Sequence, residues 1–312
     1  MFCILAFVVL SILGLFSATH RELAKEALDC VFKRITLRPC TTGFDQKLKA
    51  KILGAVLGRS EPTAKFINKN FELLSWIFFF LILASSFLAV RGVYFYYRYG
   101  SCNGLNQGGI CLFDPKGESN MVSTVAQTCD AQGKTEKNLT LNGVNIDSFQ
   151  IKNSQAKDKI VFIGCYECDF TRKVYPIIQE LITKYDVSYT FAHYPAKAGT
   201  NYLSELGLCV YQQDKEKYWK FNDLLFSADK VKLEDQSFIN QIISDLGLDD
   251  MAIQACLFNP QTRETVNKQM IELEKTHMYG TPTIFINGSA LVGPKPYRVY
   301  AIMLKGLLYW LK

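Results

Sequence analysis

Histidine is scarce in this chain, with three residues among 312, at positions 20, 193 and 277, and the six methionines form no cluster. A zinc or copper site would therefore have to rest on cysteine almost alone, and no metal is expected. No flavin- or quinone-binding signature is present, so no cofactor is expected either. No basic residue precedes the first apolar run, which disfavours a cleaved signal peptide with its charged n-region. Charge of a single sign is also missing over most of the chain. Residues 20–70 carry 11 Lys/Arg and 5 Asp/Glu; the rest balance at 24 and 24, so the formal charge of +6 arises in one segment. A basic segment could contact nucleic acid, but this one sits where membrane topology would place it, and no nucleic-acid partner is expected. Ten cysteines are too dilute for a small disulfide scaffold, yet more than most reduced cytosolic proteins carry.

What is present begins with two apolar segments. Phe2–Ala18 is nearly unbroken and falls within the lengths that span a bilayer. A retained anchor is expected there. Phe71–Tyr97 is longer and carries no charge through its apolar core, and Tyr94, Tyr96, Tyr97 and Tyr99 resemble an interfacial aromatic belt. By the positive-inside rule the basic loop between the spans is cytoplasmic and everything after Tyr99 is outside. Arg91 and Arg98 oppose this orientation weakly, since they can snorkel to headgroups. Short amphipathic helices in the loop, around Leu28–Ile35 and Leu48–Val56, suit an anionic lipid surface. Cys30 and Cys40 are expected as reduced thiols, with a redox sensor or weak metal site as alternatives. The expected organisation is a first span over 1–19, a cytoplasmic loop over 20–70, a second span over 71–99, an extracytoplasmic linker over 100–139 and a domain over 140–312.

The domain is organised around Ile160-Val161-Phe162-Ile163-Gly164-Cys165-Tyr166-Glu167-Cys168. An apolar, β-branched run reads as a buried strand that ends at Gly164. Phe170, Val174, Ile177, Ile178 and Leu181 then recur at helical spacing, so a helix is expected from about Cys165 to Lys184. A helix N-terminus favours a thiolate at the first cysteine, and a second sulfur one turn on can resolve a mixed disulfide. The pair could equally be half of a zinc site, or two packed thiols.

A distant stretch, Gly280-Thr281-Pro282-Thr283-Ile284-Phe285-Ile286-Asn287-Gly288, reads as a loop, a strand and an Asn-Gly turn. Strand, Cys-x-x-Cys, helix, and later Gly-Thr-Pro-Thr followed by a strand resemble the thioredoxin superfamily. Phe191-Ala192-His193-Tyr194-Pro195 and Tyr218–Phe226 are similar to its DsbA-like branch. The resemblance covers residues 140–312. It implies an α/β thioredoxin-like fold with a helical insertion over about 197–278, a cis Pro282 beside Cys165 and Cys168, and a Thr281 backbone that pairs with an extended substrate strand. It also implies Cys165 as nucleophile and Cys168 as resolving thiol.

The residues between the cysteines depart from that branch. Tyr166 and Glu167 stand where its best-known members carry Pro-His. Glu167 and Asp169 are anionic, and Arg172 and Lys173 offset them only in part, so a reduction potential less extreme than that of a strong oxidant is expected. Strands are expected over Val144–Ile151, Ile160–Ile163, Val187–Phe191, Ile284–Ile286 and Leu291–Val292. A terminal helix is expected over Pro296–Leu311. Cys102 and Cys111, closing a glycine-rich loop, are expected to form a disulfide, or else a relay pair. Cys209 and Cys256 read as a structural disulfide or two core thiols, and Cys129 has no obvious partner. His193 and His277 are expected to be packed or turn residues.

Together these readings imply a membrane-anchored thiol–disulfide oxidoreductase with an extracytoplasmic domain, acting on exported protein thiols and disulfides and coupled to an unidentified membrane redox partner. Oxidase or isomerase is the leading reading and reductase the alternative. A Cu(I)-handling protein or a redox-inactive peptide-binding module would be of another class.

Overall fold

A computed structural model describes residues 18–35, 49–50, 53–54, 56–58, 60–124, 139–195 and 201–311. The first apolar segment, Cys40 and Cys129 lie outside the described residues. The chain divides into two compact units, Met1–Arg91 and Gly92–Lys312.

In the first unit, α1 (Ala18–Ile35) and α2 (Glu61–Lys69) precede the long helix α3 (Phe71–Tyr99), which continues into the second unit. At about 1.5 Å per residue, 29 residues reach roughly 44 Å, enough to cross a bilayer. None of the described residues in the most apolar stretch of α3 is buried, as befits a helix whose side chains are apolar all round. Cys30 departs from the reduced thiol expected of a cytoplasmic loop. It is buried and disulfide-bonded.

The strands of the second unit are β1 (Ser123–Thr124), β2 (Gln150–Lys152), β3 (Asp158–Gly164), β4 (Val187–His193), β5 (Gly280–Thr281), β6 (Thr283–Ile286) and β7 (Ser289–Val292). A five-stranded sheet runs in the order β2-β4-β3-β6-β7. Strand β3 lies at the centre, parallel to β4 and antiparallel to β6. The β3–β4 crossover is α4 (Asp169–Lys184). The apolar runs Ile160–Ile163 and Thr283–Ile286 are buried throughout, because helices and loops cover both faces. Asn287 (φ 48°) and Gly288 (φ 84°) both take positive φ, the geometry of a two-residue turn that matches strand twist, and it joins β6 to β7.

The segment after β4 is helical: α5 (Tyr202–Gln213), α6 (Lys215–Ser227), α7 (Gln236–Asp245), α8 (Asp250–Phe258) and α9 (Pro260–Glu274). Asp214, Asp235, Asp249 and Asn259 cap α6 to α9 with side-chain oxygens that accept first-turn N–H groups. Phe221, Leu225, Leu206, Val210 and Ile239 join the sheet residues Phe162 and Phe191 in the main core. Cys209 and Cys256 are disulfide-bonded, tying α5 to α8. A smaller core of Phe149, Val161, Ile163, Leu273 and Phe285 lies apart from it.

Several features differ from the sequence expectations. The strand expected over 144–151 is mostly a 3₁₀ turn, Ile146–Ser148, and pairing begins only at Gln150. The terminal helix α10 (Tyr297–Lys305) stops at Gly306, whose φ of 90° ends it. The expected linker is anchored through its described half. Asn106 accepts from Val292 N and donates to Ala290 O, so one amide side chain satisfies the free edge of β7. Cys102 is disulfide-bonded to Cys111. Farther along the same segment, the two-residue strand β1 pairs antiparallel with β5.

Candidate dithiol site

Strand β3 delivers Gly164 and Cys165 to the carboxyl end of the sheet, where the chain turns into α4. Gly164 has no room for a side chain: a Cβ there would lie 2.5 Å from Thr171 Cγ2. The turn is closed by Cys168 N donating to Cys165 O at 3.1 Å. The helix opens at Asp169, four residues later than the expected start, and Cys168 is its N-cap. Extended backbone at Cys168 (φ −74°, ψ 118°) turns its side chain back over the first turn, and Thr171 N donates to Cys168 Sγ at 3.4 Å. It is therefore the second sulfur, not the first, that meets the helix N-terminus. Cys165 N donates to Thr171 Oγ1 at 3.4 Å. One buried threonine thus serves both cysteines.

Both cysteines are thiols in this structure and both are buried. The Thr281–Pro282 peptide is cis, and Cys168 Sγ donates to Thr281 O at 3.3 Å across 113 positions of sequence. The two stretches singled out in the sequence therefore meet at a sulfur atom. Gly293 N donates to Pro282 O at 3.0 Å and ties the loop to the end of β7.

The two intervening residues turn inward. Tyr166 is buried, its ring centroid 4.5 Å from that of His193 and 4.8 Å from Phe226, and its hydroxyl donates to Asn222 Oδ1 at 2.6 Å. Burial raises its pKa well above the usual phenol range. Glu167 is also buried. His193 sits behind Tyr166, with Nδ1 2.9 Å from Ser204 Oγ, and burial lowers its pKa to about 3, so the ring is neutral. It is a packing residue of the turn. His277 has positive φ (57°) in the turn that follows α9.

The charges around the turn are arranged in a way that spacing does not reveal. Asp169 is 2.6 Å from Lys230 Nζ, and Lys173 is 3.8 Å from Glu118. Arg172 reaches beneath the turn. Its Nε donates to Tyr166 O at 2.5 Å, Nη1 to Phe226 O at 3.0 Å and Ala228 O at 2.6 Å, and Nη2 to Leu225 O at 3.2 Å. The guanidinium thus links the Cys165–Cys168 turn to the carbonyl end of α6. Burial lowers its pKa, while Asp169, Asp229, Cys165 and Glu167 pull it back up. In the sequence Arg172 stands out only as one charge among several near the cysteines. The carbonyls of Leu225, Phe226 and Ala228 lie more than 50 residues away and left no local signal.

Among the described residues no group of three or more His, Cys, Asp or Glu could hold a metal ion. Cys165 and Cys168 could supply two soft thiolates to Cu(I), but the groups beside them are backbone amides, Thr171 and Thr281 O rather than further soft ligands. The arrangement suits two sulfurs that react with each other and with a third.

A family model described as Thioredoxin matches residues 145–305. A probable disulfide bond formation protein D of Bacillus anthracis is 24% identical over 162 residues, covering 47% of this chain and 75% of that protein. Its namesake from Bacillus cereus gives the same identity and coverage. Among solved structures, the catalytic domain of Proteus mirabilis ScsC is 18% identical, with a TM-score of 0.46, covering 58% of this chain and 99% of that one. Oxidised BdbD from Bacillus subtilis is 20% identical, with a TM-score of 0.42, covering 53% and 96%.

Proposed function

The chain belongs to the thioredoxin family, and from that premise we propose that it is a thiol–disulfide oxidoreductase of DsbA-like type working through Cys165 and Cys168. The observation that carries the reading is the meeting of both thiols at one turn, with Cys168 Sγ 3.3 Å from the carbonyl that precedes cis Pro282. The named relatives, disulfide bond formation proteins, support the same activity.

Starting from the oxidised pair, a substrate thiolate attacks Cys165 Sγ. The Cys165–Cys168 bond breaks, and Cys168 leaves as a thiolate beside Thr171 N at the α4 N-terminus, which favours negative charge. A second substrate thiolate then attacks the substrate sulfur of the mixed disulfide. The substrate becomes a disulfide and the protein a dithiol, with two electrons transferred to Cys165 and Cys168. Reduction runs the same steps in reverse. Thr171 holds the turn in both directions, and its N–H to Cys168 Sγ makes Cys168 the stabilised leaving group.

Exported proteins are the proposed substrates and the domain is proposed to be extracytoplasmic, since disulfides such as Cys102–Cys111 and Cys209–Cys256 persist in oxidising compartments. Helix α3 is the proposed membrane anchor, with 1–19 as a further span, and a separate membrane enzyme would exchange electrons with the dithiol. If α3 spans, residues 20–70 face the other side, and the disulfide at Cys30 weighs against a reducing compartment there. Labelling of Cys30 by a membrane-permeant maleimide without prior reduction, in intact cells, would support the cytoplasmic placement; labelling only after reduction would overturn it.

The test of the activity is the equilibrium reduction potential of Cys165/Cys168 against glutathione, with Cys165→Ser as control. A potential above the glutathione couple supports oxidase or isomerase activity, and one near that of thioredoxin supports a reductase. Cys168→Ser should accumulate mixed disulfides on Cys165, because the resolving sulfur is gone. Absence of any Cys165-dependent redox transition would refute the proposal.

A further inference from the structure

Strand β1 comes from the segment before the domain, yet it pairs with β5 in the register Ser123↔Thr281 and Thr124↔Gly280. Thr281 is the residue whose carbonyl accepts from Cys168 Sγ and whose following peptide bond is cis. The chain therefore lays an extended strand of its own along the backbone edge beside the dithiol.

Upstream of that pairing the segment is held at several points. Glu118 is 3.8 Å from Lys173 on the first turns of α4. The side chain of Lys295, only 2% exposed, donates from Nζ to Ser119 O at 2.5 Å and to Asn120 Oδ1. Asn120 Nδ2 donates to Gln107 O at 2.9 Å, and Asp114 accepts from Glu118 N and Ser119 N, each at 3.0 Å. Gly293 lets the segment come close: a Cβ there would lie 2.7 Å from Met121 O and 2.8 Å from Asn120 C. Gly293 N in turn donates to Pro282 O. Residues 118–124 thus run from α4, past Gly293, onto the cis-proline loop, whose Thr281 carbonyl accepts from the buried Cys168.

We propose that residues 118–124 are a strap that occupies the peptide-pairing edge of the dithiol site and is displaced when a polypeptide substrate binds there. This rests on the oxidoreductase reading above. The physical basis is competition for one row of backbone groups. An extended polypeptide approaching Cys165 can satisfy Gly280 and Thr281 only by replacing Ser123 and Thr124. The strap is weak where it pairs, over two residues, and firm where it is anchored, at Lys295 and Gly293. It can therefore peel from the edge without leaving the domain. A substrate competing with an occupied site binds with an affinity reduced by the open fraction.

The test compares the full chain with Ser123→Pro/Thr124→Pro, which removes both backbone donors of β1, and with Lys295→Met, which removes the anchor. The rate of disulfide exchange with a cysteine-containing peptide is measured against peptide concentration. The expected result is a KM lowered by about tenfold in the double proline variant, the equivalent of ~1.4 kcal/mol, with kcat changed by less than about twofold. Lys295→Met should shift KM in the same direction. A second measurement needs no strap variant: hydrogen exchange of Cys168→Ser with the peptide trapped as a mixed disulfide on Cys165. Amides of Ser123 and Thr124 should exchange at least about tenfold faster in the trapped complex than in the free protein, while those of Glu118 and Ser119, held by Asp114, stay protected. Unchanged or raised KM in folded variants, or undiminished protection of Ser123 and Thr124 in the trapped complex, would overturn the strap. Loss of Cys165-dependent exchange in the unmodified chain would instead refute the oxidoreductase reading.

Discussion

Replacing Arg172 with methionine tests how the turn is held and how it is charged. The guanidinium donates to the carbonyls of Tyr166, Leu225, Phe226 and Ala228. Hydrogen bonds to charged groups contribute about 1.5–3 kcal/mol each when buried. Arg172 is only partly buried and water can replace some of these bonds, so about 1 kcal/mol each is the fitting figure, or roughly 3–4 kcal/mol in all. For a unit of this size, ~2–4 °C per kcal/mol gives a melting temperature lowered by about 10 °C. Charge makes a separate contribution. A cation beside the turn stabilises the reduced, thiolate-bearing form and so raises the reduction potential. Losing an attraction on the order of 1 kcal/mol should lower the potential by ~20 mV. Arg172→Lys keeps the charge but cannot reproduce the planar fork. It should lose about half the stability and leave the potential within ~5 mV of the parent. Thermal unfolding and glutathione equilibration read the two effects independently. A melting temperature within about 2 °C of the parent for Arg172→Met would refute the bridging role. An equal potential shift in both variants would refute the charge argument.

Gly164→Ala should push Thr171 away from the turn, slow peptide disulfide exchange by at least ~tenfold and destabilise by about 1–3 kcal/mol, read by stopped-flow exchange and urea unfolding. Removing the Cys209–Cys256 disulfide as a double alanine variant should cost ~4 kcal/mol for a crosslink spanning 47 residues, while the redox transition of Cys165/Cys168 persists. His193 is neutral in the folded state, with its pKa lowered to about 3, whereas the unfolded chain takes up a proton near the ordinary value of 6.5. Its contribution is therefore constant above about pH 6.5 and falls by ~1.4 kcal/mol per pH unit from there toward pH 3. His193→Phe should flatten that slope in urea denaturation between about pH 6 and 4; an unaltered slope would refute the assignment.

Much of the dithiol site was legible because its pieces are local. An apolar run that stops at a glycine is a buried strand by burial alone, and Asn287-Gly288 between two short apolar runs admits only the tight turn seen here. The periodic face of α4 was equally plain, but its start was not. Periodicity marks which residues face the core, whereas the first residue of a helix depends on which side chain bonds the free amides, and Cys168 does so rather than a residue three earlier.

Sequence by itself thus determined the central strands, the buried face of α4, the cysteine pair at a strand end and the apolar length of α3; that a proline faces the pair was implied only by the family resemblance. Each of the former is a property of neighbouring residues and their side-chain chemistry. Only the tertiary structure decided which sulfur meets the α4 N-terminus, that Arg172 joins the turn to the end of α6, and that Cys30 is bonded. It alone brought Ser123 and Thr124 to Thr281. Those outcomes depend on which backbone donors and acceptors are left unpaired once the sheet and helices have packed. Unpaired groups of that kind draw partners from anywhere in the chain, and a polar, glycine-rich segment carries no periodicity to announce where it will dock.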